Sequence, residues 1–123
     1  IVQQSGRPAF IVGTTDLTHY GATGYGFAPK GGGRAGLEWV KSENDARIIR
    51  LMEQLRAEEI VAEANAHHNA CGAGAAAATV GAARQLGSPG GCVVEYTTSY
   101  DVLKDQLYGD TVGDFVGYVG MVF

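Results

Sequence analysis

A carboxylate and an imidazole stand three residues apart near the start of the chain, as Asp16 and His19. They follow residues 8–15, an apolar and β-branched run that predicts a buried strand. Ligands of α/β proteins gather at the carboxyl ends of strands. There, the two side chains can bind a metal together, or the carboxylate can orient the imidazole as a general base. A structural interpretation is also open, in which Asp16 caps a turn and His19 is a satisfied polar residue.

A second group of reactive side chains consists of His67, His68 and Cys71. Cys71 precedes an alanine-rich helix predicted over 72–86, so its sulfur should lie at the positive end of the helix dipole. That position favours the thiolate, the form that binds metals or attacks electrophiles. A buried structural thiol is the competing interpretation. We expect at most one of the adjacent histidines to face a site, and we expect Cys92, at the start of a strand, to lie in the core.

The predicted order of elements is a strand, a loop, three helices and then two further strands. The predicted strands cover residues 8–15, 92–98 and 115–123, and a glycine-rich loop covers 16–41. One helix begins at Ser42, and its apolar face consists of Ile48, Ile49, Leu51, Met52 and Leu55. A short helix over 58–65 buries Ile60, Val61 and Ala64, a third helix covers 72–86, and a turn of helix covers 101–106. In the first helix, Ser42 is the expected cap and Asp45 an acidic residue of the first turn.

This order of elements indicates an α/β protein of the three-layer type, with helices packed on a sheet. Three strands are few for such a sheet, and the last strand is apolar on both faces. We therefore expect a segment or chain outside these residues to complete the sheet. The absence of an initiator methionine leads us to expect that the sequence begins inside a longer translated product or was processed.

Composition narrows the functional classes. The chain has 123 residues, with 9 Lys and Arg against 13 Asp and Glu, and a net charge of −4. General nucleic-acid binders need a basic surface, which this balance does not provide. No apolar run approaches the ~20 residues of a membrane-spanning helix. The first ten residues do not resemble a signal peptide, and two cysteines are too few for a disulfide framework. We expect a cytoplasmic protein, with residues 1–123 forming a single domain or half-domain.

Four segments, in order, resemble the Memo-like protein family, whose bacterial and archaeal members are called AmmeMemoRadiSam system protein B. Residues 15–21 (TDLTHYG) with 25–27 (YGF) are similar to the family segment S-D-x-x-H-x-G. Residues 69–72 (NACG), before a helix of small residues, are similar to its cysteine–glycine segment. Residues 96–101 (YTTSYD) and 112–118 (VGDFVGY) resemble its last tyrosine–serine and strand signatures.

The resemblance implies an α/β fold related to the class III extradiol dioxygenases and a pocket that can hold a metal. In the family this pocket combines histidines with an aspartate and a cysteine, and the matching positions are Asp16, His19 and Cys71. The remaining pocket histidines belong to an N-terminal half that these residues do not include. The resemblance is therefore to the C-terminal half of the fold, and the N-terminal half is expected in the same polypeptide or in a partner chain.

Three functional hypotheses remain open at this point. The first is a dioxygenase-like, metal-dependent oxidoreductase, or part of one: Asp16 and His19 are catalytic and, with Cys71, hold a divalent iron, copper or zinc ion. The second is a non-catalytic module that binds a peptide or another anion in a vestigial enzyme pocket, at a helix N-terminus. The third is a subunit that completes a partner's sheet in an oligomer. Fold analogy alone does not establish which activity is present.

Overall fold

The structure is a computed structural model that describes residue 6 and residues 10–108 and 111–123; for residues 107 and 108 it describes the backbone alone. Within these residues the strands β1 (His19–Tyr20), β2 (Cys92–Thr98) and β3 (Phe115–Val122) form an antiparallel sheet in the order β1–β3–β2. The helices are α1 (Arg34–Trp39), α2 (Asp45–Glu53), α3 (Ala57–His67), α4 (Ala73–Gln85) and α5 (Ser99–Leu103), and π-helical turns occupy Val40–Asn44 and Lys104–Tyr108. The predicted mixed α/β class is confirmed.

Two of the helices form where local sequence predicts them. Alanine is the best helix former, and the alanine-rich α4 ends just before Gly87, whose φ of 90° lies in the left-handed region that favours glycine. α3 buries Ile60 and Ala64 as expected, whereas Val61 is 43% exposed, contrary to the prediction. No helix in the described part of the chain combines the length and apolar character that a membrane crossing needs.

The helix predicted to begin at Ser42 begins eight residues earlier, at Arg34. The π-helical turn joins α1 to α2, and the Ser42 hydroxyl donates to the carbonyl of Glu38 at 2.7 Å instead of capping a helix. Leu37 and Val40 are buried, so this stretch packs into the core although its glycine content predicts a loop. Past the π-helical turn, α2 carries Ile48, Leu51 and Met52 of the predicted apolar face in the core. Leu55 is also buried, but it lies beyond the end of α2 at Glu53, with a φ of 55°.

The strand predicted over 8–15 is the largest error in the expected fold. Residues 8 and 9 lie outside the described residues, and residues 10–15 form no strand. Phe10 and Val12 are 96% and 81% exposed, so the run is not buried. The backbone instead passes close to α4 at Gly13. A Cβ added to this glycine would lie 2.1 Å from the hydroxyl oxygen of Thr79 on that helix. Backbone hydrogen bonds to β3 begin at Leu17, and the regular strand pairing of β1 begins at His19.

The other two strands form as predicted, with β2 over Cys92–Thr98 and β3 ending one residue early. One face of β3 packs on the helices through Val119 and Met121. The opposite face, although also apolar in sequence, is exposed at Tyr118 and Val122 within the described residues. Cys92 is also exposed rather than in the core, because it lies on that same open face, paired with Val122.

Two hydrophobic clusters hold the segment that carries Asp16 and His19. Leu17 belongs to the cluster formed with α2, α3 and α4, and Tyr20 belongs to a second cluster with α1 and Phe115. Both side chains are 1% exposed. Burial of a large apolar side chain stabilises a fold by about 1.5–3 kcal/mol. The segment is therefore fixed in the core on either side of residues 18 and 19.

A buried polar network lies beneath this segment. Asp45 is 0% exposed, and its Oδ1 accepts the backbone N–H of Thr18 at 3.0 Å and also the Thr18 hydroxyl. Its Oδ2 accepts the Tyr96 hydroxyl at 2.7 Å. The sequence predicts Asp45 as an acidic residue of a first helical turn. It is buried because the helix extends back to Arg34, which places Asp45 in mid-helix on the face that points to the sheet.

Gly117 of β3 makes room for this carboxylate. A Cβ added at Gly117 would lie 2.0 Å from Asp45 Oδ2 and 3.3 Å from the Cβ of Leu17. The same backbone pairs with the site segment, because Leu17 N–H donates to the Gly117 carbonyl at 2.9 Å and Gly117 N–H donates to the Thr18 carbonyl at 3.0 Å. Only glycine fits between the strand and the buried carboxylate.

This close approach predicts that Gly117→Ala destabilises the protein by about 3 kcal/mol, the upper end of the range for overpacking a core. The matched control is Gly120→Ala in the same strand, where an added Cβ would come no closer than 4.0 Å to another group, the Glu95 carbonyl. We expect the control to change stability by less than about 0.5 kcal/mol. Urea denaturation followed by circular dichroism measures both; equal effects would contradict the packing described here.

Asp45 also links stability to pH. Burial raises its pKa above the ordinary value of 3.8, and the hydrogen bonds from Thr18 and Tyr96 offset only part of this effect. The folded state therefore binds this proton more tightly than the unfolded state does. The resulting stabilisation is complete below about pH 4 and is lost as the pH rises through the folded-state pKa.

Asp45→Asn removes this titration while keeping a similar shape. We expect the free energy of unfolding of the wild type, minus that of the variant, to fall as the pH rises above about 4 and through the raised pKa of Asp45. Urea titrations at several pH values measure this difference. A difference that stays constant or grows with pH would show that the folded-state pKa of Asp45 is not raised.

Candidate metal centre

Asp16 and His19 project from a segment whose other side chains are buried. Leu17, Thr18 and Tyr20 are at most 1% exposed, whereas the side chains of Asp16 and His19 are 48% and 36% exposed. The two functional groups lie on the same side of the segment, with Asp16 Oδ2 3.4 Å from His19 Nε2. The core thus fixes the backbone while these two side chains stay partly exposed.

Cys71 reaches the same place from the start of α4. It is exposed and stands immediately before Gly72, the residue that caps the helix. Its backbone N–H donates to the Asp16 carbonyl at 3.2 Å, and the Gly72 N–H donates to the Thr15 hydroxyl at 2.8 Å. A Cβ on Gly72 would lie 2.9 Å from the Thr14 carbonyl, so glycine allows the two segments to touch.

The three side chains that the sequence singled out therefore converge. Asp16, His19 and Cys71 each offer one ligand atom, and these atoms all lie within 4.8 Å of one another. Nε2 of His19 is buried and makes no hydrogen bond to any described residue, although Asp16 Oδ2 is near. A buried polar atom without a partner is costly. A metal ion would satisfy it, and an imidazole, a carboxylate and a thiolate are all common metal ligands.

Two open pockets flank the cluster. One, of about 490 Å³, is lined by His19 and Cys71 together with Tyr25, Phe27 and His68. Ring contacts form part of its wall. The ring centroids of Tyr25 and His19 lie 5.0 Å apart, and those of Phe27 and His68 lie 5.1 Å apart. The other, of about 580 Å³, is bordered by Asp16 and Cys71 and is otherwise largely apolar. A ligand of either pocket would contact the cluster.

The two adjacent histidines point to different surroundings. His68 lines the pocket beside His19, at a φ of 52° that non-glycine residues rarely adopt. The Nε2 of His67 instead lies 3.8 Å from the Oε2 of Glu63 on the same helix, α3. Neither belongs to the three-residue cluster. The structure thus agrees with the expectation that at most one of the pair faces the site.

Sequence reasoning missed the buried polar residues that support the cluster, Asn44 and Asp45. One signal was present: Asp45 precedes Ile48, Met52 and Leu55 by three, seven and ten residues, which places it on the apolar face of a helix. A carboxylate on such a face must be hydrogen-bonded in the core. The assumed helix start at Ser42 obscured this signal.

Comparison with known proteins gives one consistent result. A family model described as Memo-like protein matches residues 1–122. A MEMO1 family protein of Pyrococcus furiosus is 30% identical over 121 residues, which are 98% of this chain and 39% of the relative. MEMO1 family proteins of Methanococcus maripaludis and Pyrococcus abyssi are 28% and 30% identical, over 92% and 95% of this chain and 34% and 38% of their own lengths.

No solved structure gives a significant match to the chain. The chain spans little more than a third of the length of the curated relatives it matches. The family model, in contrast, covers almost the whole of this chain, including the segments of Asp16, His19 and Cys71. The chain belongs to the Memo-like protein family.

Proposed function

We propose that the chain is a Memo-like metal-binding protein that holds one divalent ion through Asp16, His19 and Cys71. The observation that carries the proposal is that ligand atoms of Asp16, His19 and Cys71 all lie within 4.8 Å of one another, with the Nε2 of His19 buried and without a hydrogen bond among the described residues. Each of these atoms is a metal ligand when deprotonated, and their separation allows one ion to contact all three.

The donor set narrows the choice of metal. Non-haem iron oxygenases use two histidines and one carboxylate, whereas this cluster has one histidine and a cysteine. A thiolate ligand suits copper or zinc better than iron. We therefore rank copper and zinc above iron as the resident ion.

A metal at this position fits an oxidoreductase that acts on a small molecule. The ion would supply a Lewis-acidic and, for copper or iron, redox-active centre with coordination positions left open by only three protein ligands. His19 and Cys71 lie on the wall of the aromatic pocket, so a bound molecule would be adjacent to the ion. The rings of Tyr25 and Phe27 would exclude water from one side and orient a flat or apolar ligand.

The rest of a Memo-like polypeptide, or a partner chain that supplies it, would take part in this site. The matched relatives are more than twice as long as this chain. Three protein ligands leave positions that further side chains can fill, and both pockets are open toward solvent. The complete activity therefore belongs to a larger assembly of which this chain provides one ligand set.

The geometry favours a cation over the anion of the second hypothesis. The carboxylate of Asp16 lies against the start of α4 and repels a bound anion. Two of the backbone N–H groups there, those of Cys71 and Gly72, already donate to Asp16 and Thr15. An anionic peptide bound there would lie beside a like charge.

Metal analysis of the purified protein tests the proposal. We expect about one equivalent of zinc or copper per chain, and Co²⁺ titration should give a thiolate charge-transfer band. His19→Ala and Cys71→Ala should each weaken Co²⁺ binding by at least about 10–100-fold, because each removes one ligand of three.

Matched controls are available for both variants. His67→Ala removes a histidine that faces Glu63, and Cys92→Ala removes an exposed thiol on β2, so neither should change the affinity. Loss of binding in the controls to the same degree would indicate unspecific coordination. Absence of metal, together with retained binding of an anionic peptide, would replace the proposal with the anion-binding hypothesis.

A further inference from the structure

We infer that the dipeptide Asn44–Asp45 positions the metal ligands by binding, through separate hydrogen bonds, both of the segments that carry them; the inference rests on the proposed metal site. Asp16 and His19 lie on one segment and Cys71 on another, more than fifty residues away. The dipeptide lies where the π-helical turn Val40–Asn44 meets α2, and both of its residues are 0% exposed.

Asp45 holds the first segment. Its Oδ1 accepts both the backbone N–H and the hydroxyl of Thr18, the residue directly before His19. Its Oδ2 is held by the Tyr96 hydroxyl of β2, so the carboxylate is fixed from the opposite side. Because water is excluded, no solvent molecule can replace these bonds, and Thr18 must stay where the carboxylate is. The direction of His19 follows from the position of Thr18.

Asn44 holds the second segment and joins it to the first. Its side-chain N–H groups donate to the Thr18 hydroxyl at 2.9 Å and to the His67 carbonyl at 3.0 Å. Its backbone carbonyl accepts the side chain of Asn69 at 2.8 Å, and Asn69 is fully buried two residues before Cys71. The turn that leads to Cys71 is thus bound to the same dipeptide as the segment of His19.

This arrangement differs from ordinary core packing. Two apolar clusters would hold the segments at the correct depth, but hydrophobic contact is not directional and would allow them to slide. Hydrogen bonds to one rigid helical turn fix their relative register. π-Helical turns within α-helices occur frequently at functional sites, which agrees with a role for this one in site geometry.

The test compares Asp45→Ala with Asp101→Ala in the full chain. Asp101 is a matched control, since its carboxylate also accepts a threonine hydroxyl, that of Thr98, and binds Lys41, but it contacts neither ligand segment. We expect Asp45→Ala to weaken Co²⁺ binding by about 10–100-fold and to alter the thiolate charge-transfer band. Asp45→Asn keeps an oxygen for both Thr18 bonds and should restore the band.

A second readout needs no metal. Amide hydrogen exchange should become at least about tenfold faster at Thr18 and Cys71 in Asp45→Ala, while amides in the middle of α3 and α4 keep their protection. If the wild type binds no Co²⁺, the metal proposal fails and exchange alone decides the positioning role. Acceleration spread evenly over the chain, or unchanged exchange at Thr18 and Cys71, would overturn the inference.

Thr18→Val provides an independent variant should Asp45→Ala fail to fold. It keeps the shape of the side chain but removes the hydroxyl that links Asn44 to Asp45. We expect the same local loss of protection at Cys71 and the same weakening of Co²⁺ binding, with Thr18→Ser restoring both. Wild-type exchange and wild-type affinity in Thr18→Val would contradict the positioning role.

Discussion

The carboxylate of Asp45, buried between a helix and a sheet, is the constraint on which the rest of the structure depends. Taking a carboxyl group out of water is unfavourable unless its oxygens are hydrogen-bonded. Here Thr18 and Tyr96 supply those bonds, and Gly117 leaves the space for them. The strands, α2 and the site segment must therefore meet in a single register, because any sliding would leave a buried polar group unsatisfied.

This constraint explains how an accessible cluster can also be well positioned. The side chains of Asp16 and His19 are partly open to solvent, which a binding site requires. Their neighbours Leu17 and Tyr20 are buried in separate clusters, and Thr18 is bound to Asp45. Pre-organised ligands lose little entropy on binding, and this is the usual basis of a strong site.

Local features of the sequence predict part of this structure well. Alanine content and a terminal glycine identify α4, and the β-branched and aromatic residues Val93, Val94 and Tyr96 identify β2 with its observed ends. The residue types at positions 16, 19 and 71 also point to the side chains that converge. In each case the information lies within a few neighbouring residues.

Other parts depend on contacts between distant residues. β1 is two residues long and exists only because it pairs with β3, almost one hundred residues later. The apolar run at 10–15 resembles a strand locally, yet it packs beside α4. No local pattern contains these relationships.

X-ray absorption spectroscopy of the zinc-loaded protein tests the central claim, the convergence of three different ligands on one ion, most directly. The account predicts one sulfur scatterer at about 2.3 Å together with nitrogen and oxygen scatterers at about 2.0–2.2 Å. The sulfur contribution should disappear in Cys71→Ala and persist in Cys92→Ala. A spectrum with nitrogen and oxygen scatterers alone, or a sulfur contribution that depends on Cys92, would contradict the account.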